Sequence, residues 1–198
     1  MKHNSNKDKS INQILDAALE VFVKKGYAKT RMDDIVDLSG LSKGAIYHHY
    51  SSKNELFLSL IDHWETYFFT DILKKTLTDK NPDDLLREIV IDVVNAFKTK
   101  KYVFLAELEF WSLANHDENV RIKTKELYVK LLNMFKSIIN KGIKDKKYKK
   151  VNVDVASLSI MTAIQGVIWF SIFEDSKLSA EQYLNDVIEF IIFGLKNK

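Results

Sequence analysis

The sequence predicts an all-α protein of about nine helices, and three observations carry that expectation. The 198 residues contain one proline and six glycines, too few turn formers for a chain of many short strands. Apolar residues recur at spacings of three and four through most of the chain, and several of these runs open on capping residues. With 46% hydrophobic and 29% charged residues the chain can bury a core, and with no cysteine it excludes disulfides, cysteine-ligated zinc and thiol catalysis.

The elements follow in order. Ile11, Ile14, Leu15, Ala18 and Phe22 share one face of a first helix that Gly26 ends. Thr30 with Asp33 reads as the start of a short second helix carrying Met32, Ile35 and Val36, which Gly40 stops. Ser42 caps a short third helix with Ile46 and Tyr50 four apart, and Ser52-Lys53-Asn54-Glu55 opens a longer fourth with Leu56, Phe57, Leu60, Ile61, Trp64 and Phe68 on one stripe. Asn81-Pro82-Asp83-Asp84 combines a cap, a proline where no N–H is needed and two carboxylates at the positive end of the fifth helix dipole.

A sixth helix is expected from Tyr102 to Ala114 and a seventh from Asp117 to Ile143, followed by a lysine-rich stretch, residues 144–150, that reads as a solvated connection. The eighth is the uncharged stretch from Val155 to Phe173, and the ninth runs from the capping box at Ser179 to near Leu195. The uncharged stretch approaches the length of a bilayer-spanning helix. Ser157, Ser159, Thr162, Gln165 and Ser171 interrupt it, so it is read as a packed helix and no membrane partner is expected. The polar N-terminus lacks the apolar core of a secretory signal, which predicts a cytoplasmic protein.

The net charge of +3 is small, but all of it falls in residues 1–53, which points to an anionic partner for that part alone. There, two short helices joined at Gly40 have the layout of a helix-turn-helix, whose second helix enters the DNA major groove. With Ser42 as cap, Lys43, Gly44, Tyr47 and His48 fall opposite Ile46 and Tyr50: a cation, an approachable backbone and two aromatic donors, all able to meet phosphates or base edges. Lys53 adds a charge at the start of the fourth helix, where a second phosphate can sit. A pair of connector helices with a solvated face has the same spacing.

The order of residues is more specific. The stretch GYAKTRMDDIVDLSGLSKGAIYHHYSSKNELF, Gly26 to Phe57, resembles the N-terminal signature of the TetR (tetracycline-repressor) family. It departs from the usual pattern at Arg31, Val36, Ser39 and Tyr50. The resemblance implies a DNA-binding domain over residues 1–53 and a ligand-binding and dimerisation domain over 54–198. It adds Thr30, Arg31, Ser42, Ala45 and His49 to the DNA-binding candidates. It also implies a double-stranded operator of pseudo-palindromic form, a homodimer through the two C-terminal helices, and a pocket for a hydrophobic small-molecule inducer within helices four to eight. Two reading helices about 34–36 Å apart would meet successive major grooves.

Most aromatics of the middle helices read as core by their spacing. Trp64, Phe68, Phe97, Phe104, Trp111 and Trp169 are the candidates for lining a cavity, with Gln165 either as a hydrogen-bonding group for a ligand or as a polar contact between two copies. Glu107 and Glu109 stand beside Phe110-Trp111, as carboxylates do that hold a lipophilic cation, although a surface ion pair with a nearby lysine is the more ordinary reading of each. Ala163 and Gly166 leave room for a close helix contact, and the ninth helix has a wide apolar face including Tyr183, Val187, Ile188, Ile191, Ile192 and Leu195. His48 and His49 point about 100° apart on a helix, so no metal site is expected, and no cofactor motif is present. No catalytic constellation appears, so the expected function is a ligand-responsive transcription regulator, most simply a repressor. The alternative is a helical ligand carrier or protein-interaction module whose head does not bind DNA.

Overall fold

The computed structural model describes residues 2–76, 78–172 and 177–196. Among these, all regular structure is helical: α1 Lys2–Lys25, α2 Met32–Ser39, α3 Lys43–His49, α4 Lys53–Thr76, α5 Pro82–Thr99, α6 Lys101–Ala114, α7 Glu118–Lys144, α8 Val153–Gln165 and α9 Ala180–Leu195, with a 3-10 segment at Gly166–Ser171. By compactness the chain divides in two, one unit formed by residues up to 68 with Tyr102–Leu127, the other by Phe69–Lys101 with residues from 128 onward.

The first unit holds α1 to α3, most of α4, α6 and the start of α7. Ile14, Ala18 and Phe22 of α1, Ile35 of α2, Ile46 of α3 and Leu60 of α4 are buried, as their helical spacing requires. Phe57 of α4 is the hub of this core. Its ring centroid lies 5.2 Å from Phe22, 4.9 Å from Tyr27 and 5.7 Å from Phe110 of α6, each in an edge-on arrangement that adds about 0.5–1.5 kcal/mol to burial alone. The expected Thr30 cap is corrected by one residue. Arg31 takes the extended cap conformation of α2 and its N–H donates to Asp34 Oδ2 at 2.8 Å, while the Thr30 hydroxyl turns back to the Gly26 carbonyl.

In the second unit α5 packs on α9, and α9 on α8. Asn81 caps α5 with Pro82 in its first turn, as the sequence indicates, and Leu85, Leu86, Ile89, Val90 and Val93 are buried. The buried stripe of α9 is Leu184, Ile188, Ile192 and Leu195, while Phe190 and Phe193 are 77% and 79% exposed. The apolar surface of α9 therefore extends beyond the face read from the sequence.

Two expectations change here. The uncharged stretch is not one helix: α8 ends at Gln165, the 3-10 segment follows, and Phe173 lies outside the described residues. At this break the chain makes a close contact with itself. The Tyr183 hydroxyl donates to the Ala163 carbonyl at 2.9 Å, and a Cβ at Gly166 would stand 2.5 Å from that oxygen, so the small residues receive a tyrosine of α9. The span Val153–Ser171 is long and apolar enough to cross a membrane by length and composition alone, and little of its apolar surface is buried within the chain.

The lysine-rich stretch is also more than a solvated connection. Tyr148 within it is 2% exposed, and Lys149 N–H donates to the Leu195 carbonyl at 2.9 Å. The Tyr148 ring lies over Gly142, where a Cβ would approach to 2.1 Å. Gly142→Ala is expected to cost about 1–3 kcal/mol through overpacking, read as a lower urea midpoint at unchanged slope.

Candidate nucleic-acid interface

The turn between α2 and α3 depends on Gly40, whose φ of 67° is left-handed and whose N–H donates to the Val36 carbonyl. Ser42 then caps α3, its Oγ accepting Ala45 N–H at 3.2 Å, so the acceptor side of that hydroxyl is committed to the helix start. Ile46 is fully buried and Tyr50 nearly so, which fixes the rotation of α3 about its axis. Arg31, Ser42, Lys43, Gly44, Tyr47 and His48 are consequently exposed, and Ala45 and His49 half-buried.

Lys43 Nζ pairs with Asp33 Oδ1 at 2.6 Å and lies 5.9 Å from the centre of the Tyr47 ring. The hydrogen bond to Asp33 raises the ammonium pKa, so the group stays charged at any physiological pH. Both partners are exposed, and such pairs are worth about 0–1 kcal/mol, so a phosphate can displace Asp33 at little cost. Gly44 is informative in a different way. A Cβ there would meet nothing nearer than Ser42 Oγ at 4.0 Å, so no packing inside the chain calls for glycine in this helix. An alanine would favour the helix by about 0.5–1 kcal/mol, and a close approach from outside is what the missing side chain permits.

Two candidates are committed elsewhere. Thr30 is buried, its hydroxyl on Gly26. Lys53 is half-buried and donates to the carbonyls of Tyr27 at 2.6 Å and Thr30 at 2.9 Å, with its ammonium 4.3 Å from the Tyr27 ring centre. Burial lowers its pKa. Its observed work is to fasten α4 to the α1–α2 turn. Lys53→Met, which keeps the stem and removes the donor, is expected to destabilise the unit by about 1–3 kcal/mol, with amide exchange rising first near residues 27–31.

Sequence reasoning missed two polar links to this head. Glu109 Oε2 of α6 accepts Tyr27 N–H at 3.0 Å, which gives this carboxylate a partner other than the lipophilic cation considered above. Asn54 Nδ2 donates to Asp117 Oδ2 at 2.9 Å, while Asp117 Oδ1 accepts Val120 N–H at the start of α7. That backbone N–H is the main reason the Asp117 carboxyl is held below its ordinary pKa. Both links join residues more than sixty positions apart, and no local pattern announces them.

Residues 14–60, the stretch that forms this head, match the family described as bacterial regulatory proteins, tetR family. The chain is 25% identical over 190 residues to the fatty acid metabolism regulator protein of Bacillus subtilis, covering 94% of this chain and 95% of that one. Residues 14–60 therefore carry the N-terminal domain of the TetR family. The chain is also 26% identical over 169 residues to the transcriptional regulator QacR of Staphylococcus aureus, covering 81% and 85% of the two. In fold it matches the crystal structure of the Bacillus subtilis regulator FadR in complex with stearoyl-CoA, with a TM-score of 0.79 at 21% identity over 92% of this chain and 98% of that one.

The ligand-site candidates fall in both units. In the first, Trp64 is buried with its indole N–H on the Val103 carbonyl at 2.8 Å, Phe104 and Glu107 are buried, and Trp111 is 56% exposed. In the second, Phe97 and Gln165 are half-buried and Trp169 is 60% exposed. The Phe68 side chain lies outside the described residues. Trp64 is thus a core residue in this state. A cleft of about 480 Å³ in the first unit is bordered by Lys9, Gln13, Asp16, Glu20, Leu38 and Tyr102, and by none of the ligand-site candidates.

Proposed function

We propose that the chain is a homodimeric repressor that acts in the cytoplasm and releases a pseudo-palindromic operator when a hydrophobic small molecule binds. The observation that carries the DNA-binding part is the outward face of α3, where Lys43, Tyr47 and His48 surround a glycine that no internal contact explains. In this reading residues 1–53 form the DNA head and 54–198 serve ligand binding and dimerisation.

The dimer is supported by exposed apolar side chains on α8, the 3-10 segment and α9. Val155 and Trp169 are each 60% exposed, and Phe190 and Phe193 still more so. Gly194, between these phenylalanines and the end of α9, has nothing within 4 Å of a Cβ built on it. An apolar helix face with an open glycine is suited to a second copy of itself. Each head then binds half an operator, which multiplies the weak affinity of one head.

For the inducer, the stearoyl-CoA held by the Bacillus subtilis regulator makes a long-chain acyl thioester the first probe, with a lipophilic cation as the second. A hundredfold loss of operator affinity on binding requires about 2.7 kcal/mol of differential affinity between the two states. The test is selection of bound sequences from random duplex DNA, followed by titration of the selected site at several salt concentrations with and without stearoyl-CoA. Affinity that falls steeply with salt supports the reading. Absence of DNA retention at low salt would return the chain to the carrier alternative.

A further inference from the structure

The α1–α2 turn, residues 27–30, is gripped from two elements outside the three-helix head. From α4, Lys53 donates to the carbonyls of Tyr27 and Thr30. From α6, Glu109 accepts Tyr27 N–H, across 82 positions of sequence. The next residue of α6, Phe110, packs on Phe57, which packs on the Tyr27 ring, so the polar link lies beside a continuous aromatic contact. Arg31, which caps α2, follows the turn directly, so the position of the turn decides where α2 begins. The Gly40 hydrogen bond and the burial of Ile46 then carry that position to α3.

We propose that Glu109 is a positioning residue, holding the helix-turn-helix at its DNA-binding pitch directly from α6 by a link that does not pass through α4. The proposal rests on the DNA-binding reading above. A carboxylate on a backbone N–H is a short, directional, charge-assisted bond, which suits it to fixing position. Lys53 holds the carbonyls of the turn and the Tyr27 ring and leaves the Tyr27 N–H unheld. A displacement of α6 would pass through Glu109 to the turn, which makes this link an entry point for a signal arriving along that helix.

The experiment compares Glu109→Ala and Glu109→Gln with the wild-type chain, with Leu108→Ala, an exposed neighbour on α6, as control. Three quantities are measured: hydrogen exchange at the Tyr27 amide, affinity for the selected operator, and melting temperature. Glu109→Ala is expected to speed Tyr27 exchange and weaken operator binding, each by about tenfold, at an unchanged melting temperature. Glu109→Gln keeps an acceptor oxygen and is expected to restore both to within about threefold. Leu108→Ala should change neither. Unchanged exchange in Glu109→Ala overturns the link whatever the DNA result. Faster exchange with wild-type operator affinity overturns its positioning role, as does an equal loss of binding in the alanine and glutamine variants. A wild-type chain that selects no DNA defeats the regulator reading, and the exchange comparison still decides whether the link exists.

Discussion

Replacing both Lys43 and Tyr47 with alanine is expected to lower operator affinity by about one and a half to four orders of magnitude and to leave helicity and oligomeric state unchanged. Each side chain is exposed on α3, so neither removal opens a cavity. Each groove contact is worth roughly 1–3 kcal/mol, and tenfold in affinity is about 1.4 kcal/mol, so two contacts together reach that range. Fluorescence anisotropy on the selected operator measures the effect. The single Lys43→Ala variant should also flatten the salt dependence if its ammonium leaves Asp33 for a phosphate. Asp33→Asn then serves as a converse: with the competing carboxylate gone, affinity should hold or rise. Wild-type affinity in the double variant would show that α3 is not the reading helix.

The second large effect is expected from Phe190→Asp combined with Phe193→Asp. Their exposures of 77% and 79% mean that the isolated chain gains little from either ring, so the substitutions should leave the fold intact. In a dimer the same positions would bury four carboxylates, and burying unpaired charge costs several kcal/mol. Sedimentation should therefore report monomers. Operator affinity should fall by about two to four orders of magnitude, because linking two binding events confers a gain of that size. Dimers that persist would place the interface on another surface.

Much of the fold was legible because its determinants are local. Asn81-Pro82 and Ser179 announce the starts of α5 and α9, and Gly40 the turn before α3, through backbone chemistry spanning only a few residues. The outward residues of α3 were likewise readable, since burying Ile46 and Tyr50 fixes where their neighbours point. What local pattern did not show are contacts made by the folded chain, some between residues far apart in sequence and others, such as Tyr148 over Gly142, only a few positions apart. Lys53 reads from the sequence as a charge at the start of α4, and the folded chain places its ammonium on the Tyr27 and Thr30 carbonyls. Gly166 resembles a contact point for another chain until Tyr183 is found against it, and Tyr148 stands in a run of lysines yet is buried over Gly142.

The amino-acid order alone determined that the chain is helical, where most of its helices begin to within a residue or two, and which flank of α3 faces outward, since periodicity and capping act within one or two turns. Only the folded molecule decided that Glu109 meets Tyr27 and that Lys53 faces inward to the turn. Hydrogen bonds and close packing act over a few ångströms of space, and which distant residues come that near is set by how the helices pack against one another.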